Sequence, residues 1–304
     1  MMKKLYLPLI LVLTVALNSC DKVDDPYQHL DAFISETGDI RFNDTVYSDT
    51  TIQNSRRIII EDFTGMKCPN CPKATDIADT LKSEYPNLVI AVAIHNSGNF
   101  SEPDDEFTLD LRTETGEFLR NKFQMSFFPS GLINRADYFN DDDPITGIPQ
   151  WENTIDQMVQ DQSFIEPRFE MKVQSIYNTE SRILRLIPTI EVLQSISGEV
   201  RLHAFLLENG IIGPQIDNRK TPSKVPNYEH NHILRLGFPG NGSGRTIFTD
   251  PQAGAQFTVE APEDELRTNV LEEWTANNME VVVYLTEVNT NEIIHAEHFK
   301  MTNE

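Results

Sequence analysis

At 304 residues, with 39% hydrophobic and 24% charged side chains, the chain has the composition of a folded globular protein and room for one large domain or two ordinary ones. Its 47 acidic against 25 basic residues give a net charge of −22, which argues against a nucleic-acid partner and against charge-driven adhesion to an anionic membrane. Three cysteines, Cys20, Cys68 and Cys71, are too few for a disulfide-stapled scaffold or a four-cysteine zinc site, and neither a metal nor a cofactor is expected.

Lys3 and Lys4 precede an apolar run, Leu5 to Leu17, broken only by Pro8 and Thr14. The run is shorter than the roughly 20 residues of a permanent membrane span, so residues 1–19 read as an export signal. It ends in Leu17-Asn18-Ser19-Cys20, which resembles a bacterial lipoprotein lipobox, with Asn18 where a small or β-branched residue is commoner. That resemblance implies acylation of Cys20 and a lipid bilayer as partner, each buried methylene contributing about 0.8 kcal/mol. An ordinary secretory signal with an incidental cysteine is the alternative. Asp21, Lys22, Asp24 and Asp25 read either as a solvated tether or, by resemblance, as a surface-export signal of Bacteroidetes lipoproteins. Residues 20–55 are polar and weakly periodic, a linker with one short edge strand near Ile40 to Val46.

Residues 56–165 alternate strand and helix signals. Arg57 to Phe63 holds Ile58-Ile59-Ile60, a β-branched run of the kind that forms a buried central strand. Pro69 to Tyr85 places Ala74, Ile77, Ala78 and Leu81 at helical spacing. Leu88 to Ile94 is a second unbroken apolar run, typical of a strand covered on both faces. Thr113 to Gln124 reads as a helix, Gly131 to Asn134 as a short strand and Trp151 to Gln160 as a closing helix. Together they make a βαβ-based layered domain.

Between the first strand and the first helix stands Cys68-Pro69-Asn70-Cys71. A cysteine at a helix start meets free N–H groups that favour a thiolate, and a second one turn on is placed to attack a mixed disulfide. Pro69 at the first helical position loses no needed hydrogen bond. Cys68 is therefore expected to be the more exposed and more acidic sulfur. Zinc would need a further ligand pair. A structural disulfide, which so short a loop would stabilise little, and an idle relic of a redox ancestor stay open.

Glu61-Asp62-Phe63-Thr64-Gly65-Met66-Lys67-Cys68-Pro69-Asn70-Cys71-Pro72 resembles the active-site strand and turn of the thioredoxin superfamily. The resemblance implies that Asp62 is a buried carboxylate helping to deprotonate Cys71; a strand-end carboxylate in water is the other reading. Phe127-Phe128-Pro129-Ser130 matches in order the superfamily's cis-proline loop, which implies Pro129 beside the sulfurs, shaping a peptide-binding edge. Lys67 replaces the common aromatic residue, Pro72 follows the second cysteine, and Asn99 to Leu111 looks inserted.

From about Phe169 onward strand signals recur. Candidates are Phe169 to Val173, Ile183 to Leu193, Val200 to Leu207, His232 to Leu236, Gln256 to Glu260, Met279 to Glu287 and Glu292 to Phe299. Turn residues separate them at Asn178-Thr179-Glu180, Ser197-Gly198 and Asn289-Thr290-Asn291. The expected architecture is an α/β thioredoxin-like domain over 56–165 followed by an all-β, Ig-like sandwich of antiparallel strands over 166–304. His230 and His232 form an H-x-H pair without a visible third ligand, and Gly240, Gly242 and Gly244 mark a turn, since no helix follows to receive a phosphate.

Glu61-Asp62-Phe63-Thr64-Gly65 running into the cysteine pair, Val92-Ala93-Ile94-His95, Asn209 to Gln215, and His230-Asn231-His232-Ile233-Leu234-Arg235 make the chain similar to the 28-kilodalton outer membrane protein family of Bacteroidetes. The resemblance implies an outer-membrane lipoprotein, on the periplasmic or cell-surface face. Two functions stay open. One is a thiol–disulfide oxidoreductase acting on extracytoplasmic thiol- or disulfide-bearing proteins, with Cys68 attacking and Cys71 resolving. The other is a surface binding or adhesion lipoprotein whose redox fold is scaffold, which a buried Cys68 would favour.

Overall fold

The computed structural model describes residues 45–47, 55–137, 143–259 and 266–302, and residues 39–304 form one compact unit. The export signal, Cys20 and most of the linker lie outside the described residues. In chain order the elements are β1 (Thr45–Tyr47), β2 (Ile58–Phe63), α1 (Cys71–Glu84), β3 (Val89–Ile94), α2 (Glu114–Lys122), β4 (Ser130–Ile133), β5 (Ile145–Gly147), α3 (Ile148–Gln160) and the single turn α4 (Gln162–Ile165). Strands then follow one another: β6 (Phe169–Asn178), β7 (Ile183–Val192), β8 (Glu199–Glu208), β9 (Ile211–Ile216), β10 (Lys224–His230) and β11 (Ile233–Phe238). The rest are β12 (Arg245–Thr249), β13 (Gln256–Thr258), β14 (Leu266–Asn269), β15 (Met279–Glu287) and β16 (Ile293–Lys300).

The fold is mostly β, with a mixed sheet at its centre. β2 and β3 form where the two apolar runs were read, and both are buried along their whole length. They pair in parallel from Ile58↔Val89 to Phe63↔Ile94, while β4 lies antiparallel to β2 and β5 antiparallel to β4. Helix α2 carries its own end signals. The Thr113 hydroxyl accepts the Gly116 N–H, Glu114 and Glu117 sit in the first turn, and Arg120 and Lys122 in the last.

The last segment departs from a free-standing antiparallel sandwich. One sheet, ordered β16-β15-β8-β11-β3-β2-β4-β5 with β12 on β8, runs through both halves of the chain. The junction is β11, antiparallel to β8 on one side and parallel to β3 on the other at Ile233↔Ala93, where the Ala93 N–H donates to the His232 carbonyl (2.8 Å). A second sheet, ordered β1-β6-β7-β13 with β14 on β7, packs through Phe169, Leu184, Leu186 and Ile190 against Leu202, Leu206, Val281 and Val283 of the first. The expected strands are present, and β5, β9, β10, β12 and β14 are additional. Gly240–Gly242 is a short 3-10 turn, in line with its reading as a turn.

The β2–β3–β4 layer has two differently made faces. On one, Ile58, Ile60 and Ala91 meet Ala74 and Leu81 of α1 and Trp151 and Ile155 of α3. On the other, Phe63, Ile90, Val92 and Leu132 share a core with Phe205, Leu234, Val282 and Tyr284 from the later strands, and Leu119 of α2 joins them. Across that second face Arg135 grips Glu61 through Nε–Oε2 (2.8 Å) and Nη2–Oε1 (2.6 Å) and donates to the Tyr284 hydroxyl (3.1 Å), all of it buried.

Candidate functional site

Strand β2 ends at Phe63 and the chain turns through Thr64-Gly65-Met66-Lys67 into the cysteine pair. Gly65 is needed there, because a Cβ would lie 2.4 Å from Ser97 Oγ and 2.7 Å from the Phe100 carbonyl oxygen. The Cys68 N–H closes the turn on the Gly65 carbonyl (3.1 Å), and α1 begins at Cys71 with Pro72 in its first turn. The helix thus starts two residues after the expected Pro69, leaving Cys68 and Pro69 in the turn. Cys68 and Cys71 are joined as a disulfide, with Cα atoms 5.4 Å apart. Cys68 is only 1% exposed and Cys71 0%, so the expectation of an accessible first sulfur is corrected.

The cause lies about 150 residues along the chain. β9 and β10 form an antiparallel hairpin, Ile216 opposite Lys224 and Ile211 opposite His230, that folds over the cysteine turn. The Ile216 N–H donates to the Met66 carbonyl (2.8 Å) and the Asn218 N–H to the Pro69 carbonyl (3.0 Å). Gln215, itself buried, donates through Nε2 to the carbonyls of Cys68 (3.2 Å) and Gly65 (3.3 Å). Asn218 Nδ2 bonds Asn70 Oδ1, and Arg219 pairs with Asp76 on α1 at 2.5 Å. Lys67 turns its ammonium to Asp104 (3.1 Å), in the segment read as inserted.

Asp62 sits on β2 opposite Gly131 of β4 and is 3% exposed, which removes the reading of a carboxylate in water. The hydroxyl of Thr75, one turn after Cys71, donates to its Oδ2 (3.3 Å), while Oδ1 is buried with no partner. Burial pushes the Asp62 carboxyl up to about 8 against the pull of the Thr75 bond, and Asp79 adds to the rise. At neutral pH it keeps its proton. The Phe128–Pro129 peptide bond is cis. Ser130 pairs with Phe63, so Pro129 enters the sheet at the end where β2 hands over to the cysteine turn. Phe128 packs into the core beside it, and Phe127 is 52% exposed.

The two histidines of the H-x-H pair diverge. His230 faces His95, ring centroids 5.4 Å apart, and both are held neutral by burial, His230 at about 4. With Thr64, Thr75, Tyr228 and Gln215 they line a cavity of about 10 Å³, roughly one water in size. His232 lies instead near Lys82 (3.3 Å), Glu280 (3.4 Å) and Asp79 (3.5 Å). Among the described residues no group of three ligating side chains is arranged to hold a metal ion. Gln215, Asn218 and His95 were not read as site residues from the sequence, and His230 entered only as half of the H-x-H pair. The motif stretches Val92 to His95, Asn209 to Gln215 and His230 to Arg235 were the signal, and they carried no spacing that pointed to the cysteines.

A family model described as outer membrane protein Omp28 matches residues 117–303. No curated protein matches the chain in sequence. Among solved structures, HBP35 of Porphyromonas gingivalis is similar with a TM-score of 0.59 at 15% identity, over 82% of this chain and 76% of that one. A protein of Agrobacterium tumefaciens gives a TM-score of 0.46 at 10% identity, over 83% of this chain and 97% of that one. A domain of the outer membrane lipoprotein Omp28 from Porphyromonas gingivalis gives 0.26 at 13% identity, over 45% of this chain and 89% of that one. At these identities the likeness to HBP35 speaks for the fold alone, and the two lower scores carry no argument.

Proposed function

Because the chain belongs to the Omp28 outer membrane protein family, and its address is the outer membrane, we propose that it is an acyl-anchored binding lipoprotein whose thioredoxin-like half serves as scaffold for a β-sandwich. Cys20 is the anchoring residue in this reading, and the bilayer is its first partner. The observation that carries the proposal is the sealed disulfide: both sulfurs are buried under a hairpin tied to the carbonyls of Gly65, Met66, Cys68 and Pro69. Thiol–disulfide exchange needs in-line access of a thiolate to one sulfur, and a buried pair denies it. The test is disulfide reduction of a protein substrate such as insulin by the purified chain with a dithiol supply. The rate is expected to equal the dithiol background. Turnover above it, with a mixed disulfide trapped at Cys68 in Cys71→Ala, would overturn the reading. Anchoring is tested separately: Cys20→Ala is expected to move the protein from the membrane to the soluble fraction.

A second reading, a thiol–disulfide oxidoreductase, is favoured by one observation. Asp62 is a buried, protonated carboxyl linked through Thr75 to the start of the cysteine helix. In that reading Cys68 attacks a substrate disulfide, Asp62, in the ionised form it reaches as pH rises through about 8, takes the proton of Cys71 as it resolves the intermediate, and Pro129 shapes the edge that a peptide lies along.

A further inference from the structure

We infer that the β9–β10 hairpin and the Cys68–Cys71 disulfide form a redox-coupled latch, in which reduction of the disulfide releases the hairpin and uncovers an apolar surface around Met66, Phe107 and Leu111. Among the described residues the hairpin belongs to neither large sheet, its strands pairing with each other. It is held down by the packing of Ile211 and Ile216, by the ion pairs Arg219–Asp76 and Lys224–Glu106, and by a short set of hydrogen bonds whose acceptors lie on the cysteine loop. Ile216, Asn218 and Gln215 together bond the carbonyls of Met66, Pro69, Cys68 and Gly65. The disulfide closes the end of that loop onto the first turn of α1 and fixes where those carbonyls stand. Beneath the hairpin, Met66, Phe107, Leu111 and Ile233 form a small separate core, and Ile211, Ile216 and Leu109 complete it from the hairpin and the inserted loop. Gly213 lets the hairpin lie flat on this core, since a Cβ there would stand 2.3 Å from Leu109 Cδ1.

The chemistry balances with a dithiol as reductant. Its thiolate attacks one cysteine sulfur, the Cys68–Cys71 bond breaks, and the other sulfur leaves as a thiolate that takes up a proton. The second thiol of the reductant then closes on the mixed disulfide. The pair gains two electrons and two protons, and the reductant becomes a disulfide. Because the oxidised sulfurs are buried, attack requires the docked hairpin to lift first. Whatever loosens the dock therefore speeds reduction, and reduction, by freeing the loop whose carbonyls the hairpin bonds, loosens the dock. This inference rests on the sealed site of the proposed function, but it does not require catalysis, so the insulin assay and the latch can fail independently.

The test uses the full chain in both redox states, with dithiothreitol as reductant and the thiol count read by alkylation and mass. Amide hydrogen exchange at Ile216 and Asn218, whose N–H groups bond the cysteine turn, is expected to become roughly tenfold faster on reduction, while Val282 in β15 stays unchanged. In the oxidised protein Gln215→Ala is expected to speed dithiothreitol reduction by a similar factor. Equal exchange at Ile216 and Asn218 in the two states, or an unchanged reduction rate in Gln215→Ala, would overturn the latch. Faster exchange at Val282 as well would assign the disulfide to the stability of the whole fold and would equally overturn it.

Discussion

The two faces of the β2–β3–β4 layer solve the same problem with different means. One is covered by α1 and α3, which are local in sequence and supply Ala74, Leu81, Trp151 and Ile155. The other is covered by strands that arrive more than 60 residues after β4, bringing Phe205, Val282 and Tyr284. The difference teaches that the first half fully owns one of its faces and only part of the other, to which it adds Leu119 and Met125. A segment with a motif and a recognisable strand–helix alternation is not by that fact a folding unit, because apolar surface left in water removes the main favourable term.

The largest effect expected from this asymmetry is on truncation. A fragment of residues 56–165 leaves Phe63, Ile90, Val92 and Leu132 covered only by Leu119, Met125 and their neighbours, without Phe205, Leu234, Val282 and Tyr284, and it is expected to lack a cooperative thermal transition and to associate, as read by circular dichroism and gel filtration. A compact monomer with a sharp transition would break the comparison. Next comes the ion pair across the same face. Arg135→Ala strands a buried Glu61 carboxylate and is expected to cost about 3–5 kcal/mol in chemical denaturation, with a single transition for the whole chain.

Asp62 sharpens the comparison in the opposite direction, since its burial is a cost. Its folded value of about 8 lies above the unfolded value of 3.8, so the folded state keeps a proton that the unfolded state gives up. The stability penalty is absent below about pH 4, grows as pH rises and is complete above about pH 8. Asp62→Asn is therefore expected to stabilise the protein by about 2–4 kcal/mol at pH 8 and by little at pH 4. A pH-independent difference would show that packing, not ionisation, governs the site. The smallest effect is at His232, where the helix face meets the later strands. Desolvation works against its charged form, but the carboxylates of Asp79 and Glu280 beside it win, and its value is raised. Its contribution is present below about 6.5, the unfolded value, and is lost as pH rises through the folded one. His232→Ala is expected to cost at most about 1 kcal/mol at pH 5.5 and less at pH 8.5.

What the sequence revealed follows the same division. β2, α1 and β3 were legible because their burial is dictated locally, by Ile58-Ile59-Ile60, by the spacing of Ala74, Ala78 and Leu81, and by the run Leu88 to Ile94. Pro149 marked the true start of α3 at Ile148, ahead of the Trp151 suggested by apolar spacing. The hairpin was not legible. Ile211-Ile212-Gly213-Pro214-Gln215-Ile216 has no clean alternation, Ile212 is exposed, and the segment is a strand because of what it docks on. Membership of β11 in the first half's sheet hangs on a single bridge to Ala93, which no local pattern encodes. For the site, the cysteine spacing and Pro129 could be read, but the burial of Cys68 depends on Gln215 and Asn218, residues whose type carries no chemistry on its own.

The place where the chain enters β2 has a mechanical consequence. Arg56 pairs with Glu292 (2.5 Å) and donates to the Ile293 carbonyl (2.6 Å), and Arg57 pairs with Glu297 (3.2 Å), so both arginines fasten the entry to β16. Upstream, among the described residues, three residue pairs hold β1 to β6. A pull delivered along the chain from its N-terminal side first peels that short ladder from the second sheet. It then meets β2, which has neighbours on both sides and must be sheared past β3 and β4 rather than unzipped one bond at a time. A load delivered from the N-terminal side would thus fall on the strand best supported to resist it.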